Sequence, residues 1–336
     1  MTTVFLSHPP GMLEPYYGRK AIRALQSMAT VTFNPLDGDI SSEKVVKLAA
    51  GADIIVSYRQ TAGDEALFLS LPSLQAFVRC SIDIRNVDVV AASRHGVLVT
   101  QASAGFVVAV SEWVVGVIID LARSMSDYAL NYRIGNAVEL RMGRELRGAT
   151  IGVIGYGQIG SYLCDLAHAL GMRIVVHDPH VAAVHPSARR VGLGELLSVS
   201  DYVVCLAKAT DDNRHLMNAC AFSAMRPGAC FVNASRGSLV DEAALLHALD
   251  SGKIAGCALD VGDGPDQMPT VRLASHRKVI ATPHIGGLTV PAIEHQAMET
   301  VSQVEAIIAG REPVGAVNAD SALRWHRSRD ARKETA

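Results

Sequence analysis

Short apolar runs alternate with helix-period segments from the first residues onward. Thr3 to Ser7, Val31 to Phe33, Ile54 to Val56, Leu74 to Val78 and Val97 to Thr100 are each brief and rich in β-branched, leucine or aromatic residues. That pattern predicts strands, with Ile22 to Met28 falling in a helix. From Gly105 to Ala122 the chain is apolar almost all round, as in a helix buried inside a large protein. Ser111, Glu112 and Asp120 interrupt this run, which argues against a membrane span.

A polar connector, Asn136 to Gly148, leads into a second series of the same kind. Strands are predicted at Thr150 to Ile154, Ile174 to Val176, Tyr202 to Leu206, Cys230 to Asn233, Gly256 to Leu259 and Val279 to Ala281. Strands alternating with helices imply βαβ units and parallel sheets. After Pro291 one amphipathic helix runs to about Gly310, with no sheet of its own to pack on. The expected fold is therefore α/β, with two Rossmann-like domains. The N-terminal domain is discontinuous and is completed by the C-terminal helix. The last residues, 323–336, are charged and poor in apolar side chains, so a mobile tail is expected.

Composition narrows the function. A chain of 336 residues suits about two domains. A formal charge of −2 supplies no field for nucleic acid or an anionic membrane. The six cysteines show no CxxC pair and no metal-like cluster with histidine, which points to reduced core thiols, no metal site and a cytoplasmic setting. Met1 to His8 lacks the basic start of a signal peptide.

The first candidate chemistry is the segment TIGVIGYGQIG, residues 150–160. Gly155, Gly157 and Gly160 follow a strand and open a helix through Gln158 and Ile159. Such a turn brings a pyrophosphate to backbone N–H groups at a helix N-terminus. Asp178 ends the next strand 18 residues after Gly160, placed to accept hydrogen bonds from ribose hydroxyls and to repel a 2′-phosphate. NAD is therefore the expected cofactor. Three further polar segments each follow a strand: Asn233-Ala234-Ser235-Arg236-Gly237, Ala258-Leu259-Asp260-Val261, and Thr282-Pro283-His284-Ile285-Gly286-Gly287. A guanidinium and an imidazole at the carboxyl edge of a parallel sheet can hold a carboxylate and exchange a proton with a carbonyl oxygen.

With these segments in place, the chain resembles the D-isomer-specific 2-hydroxyacid dehydrogenases, whose members include phosphoglycerate, glyoxylate, formate and phosphite dehydrogenases. NASRGSLVDEAAL and TPHIGG carry most of the resemblance. It implies reversible hydride transfer between NAD and a small 2-hydroxy or 2-keto acid, with Arg236 orienting the substrate and His284 as acid–base. It also implies that Ala234, Ser235, Arg236, Asp260, His284, Gly286 and Gly287 surround the nicotinamide. For Asp260, a turn cap is the other reading. Residues 1–102 with 291–322 would form the substrate domain, and residues 103–290 the NAD-binding domain. Relatives are commonly dimers joined through the cofactor domain, which the apolar helix around Trp113 would suit.

The chain also departs from the family. The family's histidine partner is a glutamate five residues after the aspartate, and that position here is Pro265. Asp266 is the expected replacement, with Asp263 and Gln267 as alternatives. The family's glycine-rich anion loop corresponds to Ser81-Ile82-Asp83-Ile84-Arg85-Asn86-Val87-Asp88, in which both early glycines are replaced. Ser81, Ile82 and Asp83 are expected to contact the substrate. Arg59 lies where relatives place an extra anion-binding arginine, although a solvated surface arginine is an equal reading. Lys208 stands where the family has proline. The retained Arg236 and His284 favour an enzyme. The altered loops leave an NAD-sensing regulatory protein of the same fold as the alternative.

Overall fold

The computed structural model describes residues 1–334. The chain divides into two compact units, Met1–Gly105 together with Thr289 onward, and Phe106–Leu288.

In the first unit the strands are β1 (Thr3–Leu6), β2 (Thr30–Phe33), β3 (Ile54–Ser57), β4 (Ala76–Arg79) and β5 (Leu98–Gln101). All pair in parallel, in the order β2-β1-β3-β4-β5. Side chains alternate between faces every residue, so each strand feeds two cores. Val4, Leu6, Ile54, Val56, Ala76 and Val78 meet Leu25 on one face, while Phe5, Ile55, Phe77 and Val99 meet Val45, Leu67 and Phe68 on the other. The helix Val290–Ile308 lays Ala297, Val301, Val304 and Ile307 into the first of these cores. The N-terminal unit is thus discontinuous, because its sheet would otherwise leave part of a face bare.

The tail differs from expectation. Leu323–Glu334 is a helix, and its Trp325 is buried in the same core. The Arg324 guanidinium donates to the carbonyl oxygens of Leu71 at 2.7 Å and Phe68 at 3.1 Å, satisfying acceptors at the end of the helix Glu65–Ser70. A single large side chain supplies the burial here, and composition averaged over the segment hides it.

The second unit holds β6 (Thr150–Ile154), β7 (Arg173–His177), β8 (Ala188–Arg190), β9 (Tyr202–Cys205), β10 (Ala229–Asn233), β11 (Ile254–Leu259) and β12 (Val279–Ala281). Their order is β12-β11-β10-β9-β6-β7-β8, again all parallel. The pattern had predicted six strands. The seventh, β8, is an edge strand reading Ala-Arg-Arg, without the apolar signal of a buried one. The helix Val107–Arg123 buries Val114, Val117 and Ile118 against Ile151, Val153 and Leu163. None of the helices in the described residues is long and apolar enough to cross a membrane. Five cysteines are buried, and Cys220 is exposed.

Candidate functional site

The sheet order of the second unit reverses between β6 and β9, so the crevice beyond their carboxyl ends is where a doubly wound sheet binds its ligand. Gly155 turns the chain there with φ 95°, and a Cβ on it would lie 2.6 Å from the Ala207 backbone. A Cβ on Gly160 would come within 2.3 Å of the Gly155 carbonyl oxygen, so only glycine lets the helix Gln158–Ala169 sit this close to the turn. Gly157 precedes that helix with open space beside its Cα. The first N–H groups of the helix, including those of Gln158 and Ile159, have no intrahelical acceptor, and such a helix start can take an anion.

Asp178 follows β7. Its carboxylate accepts from the Tyr156 N–H and from the His180 N–H, both at 2.8 Å. Partial burial alone would raise its pKa, but these two donors, with His180 and His177 nearby, outweigh that and hold it below the usual carboxylate range. It stands ionised beside the glycine turn, as ribose recognition requires. The donor set therefore fits a dinucleotide. Lys208, beyond β9, is exposed, and its carbonyl accepts from Asn213 at 2.8 Å.

The three segments after β10, β11 and β12 all lie at this carboxyl edge. Buried Asn233 frames the first: its Oδ1 accepts from the Ser235 N–H at 3.0 Å and its Nδ2 donates to the Arg236 carbonyl at 2.9 Å. The sequence places Asn233 at the start of this polar segment but gives it no role of its own. Ser235 Oγ donates to the Ala207 carbonyl, tying this segment to the loop after β9. Arg236 is half-buried, and its Nη1 donates to the Ser235 carbonyl at 2.7 Å.

Asp260 is 4% exposed, and both of its carboxylate oxygens accept hydrogen bonds. Oδ1 takes the Thr282 hydroxyl at 2.7 Å and the Ile285 N–H at 2.8 Å; Oδ2 takes the Gly286 N–H at 2.8 Å. The side chain thus braces the loop that carries His284, so the turn-capping reading describes its contacts. His284 has φ 56°, an uncommon conformation for a non-glycine residue. Its Nδ1 lies 3.0 Å from the main-chain carbonyl oxygen of Asp266. A carbonyl only accepts, so Nδ1 carries the proton in this contact. Asp266 and Gln267 are both left-handed, at φ 52° and 60°, inside a tight loop closed by Gly262 N–H to the Gln267 carbonyl at 2.8 Å. That loop aims the Asp266 backbone oxygen at the imidazole, a contact that residue type alone does not announce. Asp263 belongs to the same loop.

In the first unit the substrate candidates lie on the loops after β3 and β4. Asp83 pairs with the neighbouring Arg85, Oδ2 to Nη2 at 2.6 Å and Oδ1 to Nε at 3.0 Å, so its charge is met locally. Its N–H donates to Ser81 Oγ at 3.2 Å. Ile82 is exposed, and its N–H has no acceptor among the described residues. Arg59 lies over the Tyr16 ring at 5.7 Å. Among the described residues no group of three His, Cys, Asp or Glu side chains could hold a metal ion.

These features define a two-unit α/β protein whose second unit is built to hold a dinucleotide beside a braced histidine and an arginine. The model of the D-isomer specific 2-hydroxyacid dehydrogenase, NAD binding domain, matches residues 115–286, and the chain belongs to that family. It is 32% identical over 286 residues to D-3-phosphoglycerate dehydrogenase 3, chloroplastic, of Arabidopsis thaliana, covering 84% of this chain and 49% of that protein. It is 30% identical over 307 residues to the (S)-sulfolactate dehydrogenase of Chromohalobacter salexigens, covering 89% of this chain and 98% of that one. The apo-structure of D-lactate dehydrogenase from Escherichia coli superposes with a TM-score of 0.82 at 25% identity, over 94% of this chain and 100% of that one. The chain spans about half the length of the phosphoglycerate dehydrogenases it matches.

Proposed function

We propose that the protein is an NAD-dependent dehydrogenase of a small 2-hydroxy acid bearing a second acidic group on the adjacent carbon. The observation that carries this reading is the His284 imidazole, fixed as the Nδ1–H form and set on a loop braced by Asp260, at the same sheet edge as Arg236. When bound, the nicotinamide supplies or takes the hydride. Arg236 holds the substrate's carboxylate and polarises its carbonyl through a forked guanidinium. In reduction His284 gives its Nε2 proton to the carbonyl oxygen; in oxidation it takes the hydroxyl proton at the same nitrogen. Ala234, Ser235, Gly286 and Gly287 form the backbone wall of the nicotinamide pocket.

On the substrate side, the main chain at Ser81, Ile82 and Asp83 receives the carboxylate, and Arg59 receives the second acidic group. Two relatives support that class, since phosphoglycerate and sulfolactate each carry an anionic group besides their carboxylate. A homodimer through the second unit completes the reading. Leu140 and Met142 are 90% and 100% exposed and Tyr132 is 83% exposed, an apolar cost to an isolated protomer. The helix around Trp113, by contrast, spends most of its apolar face inside its own unit.

The test is steady-state NADH oxidation with 3-sulfopyruvate, 3-phosphohydroxypyruvate, pyruvate and glyoxylate, repeated with Arg236→Lys. Turnover should favour one of the two acids with a second acidic group by at least tenfold in kcat/KM, and Arg236→Lys should lose most of it. No oxidation with any acid would remove the enzyme reading. Equal use of all four would remove the second acidic group.

A further inference from the structure

Arg79, at the end of β4, was not singled out by any motif. It is 3% exposed, and its guanidinium donates to four main-chain carbonyls: Tyr58 at 2.6 Å, Asp83 at 3.0 Å, Thr61 at 3.3 Å and, by a very short contact, Arg59. Asn86 Nδ2 adds donations to the Arg59 and Thr61 carbonyls at 3.2 and 3.4 Å. No carboxylate forms an ion pair with Arg79 among the described residues. Burial lowers its pKa to about 10, which leaves it charged at neutral pH. A buried charge hydrogen-bonded only to carbonyl dipoles, with the Asp83 carboxylate as its one charged support, is costly, and an anion bound near it would repay that cost.

The geometry has a second consequence. In a trans peptide the N–H of the following residue points opposite to the carbonyl. Carbonyls of Arg59, Thr61 and Asp83 drawn in to Arg79 therefore turn the N–H groups of Gln60, Ala62 and Ile84 away from it. None of these three donors has an acceptor among the described residues.

We infer that Arg79 is a positioning residue that turns the Gln60 and Ala62 N–H groups of the loop after β3 and the Ile84 N–H, beyond the carboxylate-receiving main chain at residues 81–83, into an anion-binding surface specific for the second acidic group of the substrate. The inference rests on the proposed dehydrogenase reading for its substrate, and it adds the residue that builds the site. Arg79 itself touches no substrate. Lysine can keep the charge but cannot reach four carbonyls in one plane.

The experiment compares wild type with Arg79→Lys in two ways. Steady-state kinetics with 3-sulfopyruvate should show KM raised at least tenfold with kcat within threefold, while KM for pyruvate rises less than threefold. Calorimetric titration with sulfoacetate, which cannot be reduced, should show at least tenfold weaker binding. NADH affinity should stay unchanged as the folding control for the second unit. Should Arg79→Lys fail to fold, Asn86→Ala removes only the flanking donations and should raise KM for 3-sulfopyruvate by a smaller factor in the same direction. A change confined to kcat, or equal KM changes for both acids, would overturn the inference. Unweakened sulfoacetate binding, or no such binding in wild type, would do the same. Wild type that binds sulfoacetate through Arg79 but oxidises NADH with no acid would sink the dehydrogenase reading and leave this inference standing.

Discussion

Replacing Asp260 by asparagine tests whether that carboxylate braces the His284 loop or reads the cofactor. Its two oxygens accept three donors, the Thr282 hydroxyl and the Ile285 and Gly286 N–H groups, at 2.7–2.8 Å. Asparagine offers one acceptor atom and one NH₂. Whichever way the amide is turned, one backbone N–H is left facing an N–H. An orphaned buried donor costs about 1–3 kcal/mol, and the surviving contacts lose roughly 1 kcal/mol each as they cease to be charge-assisted. The loop should therefore open more easily by about 3–4 kcal/mol, on the order of 10²–10³ in its opening equilibrium. Amide hydrogen exchange across residues 282–288, read without cofactor, measures this directly. Exchange at Ile285 and Gly286 should accelerate by that factor, and kcat should fall because His284 rides on the loop. Unchanged exchange combined with lost NADH affinity would refute the bracing role and assign the carboxylate to the nicotinamide.

At residue 266, Asp266→Asn keeps both the carbonyl and a tolerance for φ 52°, and should hold kcat within about threefold, whereas β-branched Asp266→Val should lose at least tenfold with NADH affinity intact. An alkaline limb displaced to lower pH by Asp266→Asn would instead give the role to the carboxylate. Asp178 beside the glycine turn should make NADH bind at least tenfold tighter than NADPH, about 1.4 kcal/mol, and equal dissociation constants would contradict it. Trp325→Ala should destabilise the first unit by roughly 3–5 kcal/mol, seen as a lower urea midpoint for that unit; an unmoved midpoint would exclude the tail helix from its core. His8 is buried, and burial, with Arg79 nearby, pulls its pKa down to about 3. The unfolded chain binds this proton near pH 6.5 and the folded chain does not, so stability should fall as pH drops from 6.5 toward 3. His8→Phe should flatten that part of the stability curve, and an unchanged slope would mean that His8 is not its source.

Much of the architecture was legible because parallel strands buried on both faces write themselves as short apolar runs. The turn Gly155-x-Gly157-x-x-Gly160, and the placement of Arg236 and His284 just after strands, follow from that local pattern together with the rule that ligands meet the carboxyl edge of such a sheet. Strand limits were less legible: Leu74 to Val78 reads as a strand, yet β4 is Ala76–Arg79, because a largely apolar run does not mark where pairing starts. The edge strand β8 and the helix around Trp325 had no apolar pattern to announce them.

The sequence by itself determined which residues could carry chemistry, since residue type and position after a strand are local properties. Only the tertiary structure decided what those residues do to one another. Residue 266 meets His284 through a carbonyl because two successive left-handed residues turn the loop that way, and no side-chain register encodes that. Asp260 holds the histidine loop because β11 and β12 pair side by side, bringing donors 22 to 26 residues away onto one carboxylate. Arg79 gathers carbonyls from two loops up to 21 residues off in the chain, since β3 and β4 are neighbours in the sheet. Hydrogen bonds between distant segments exist only once strand order is set, and strand order is a property of the folded sheet.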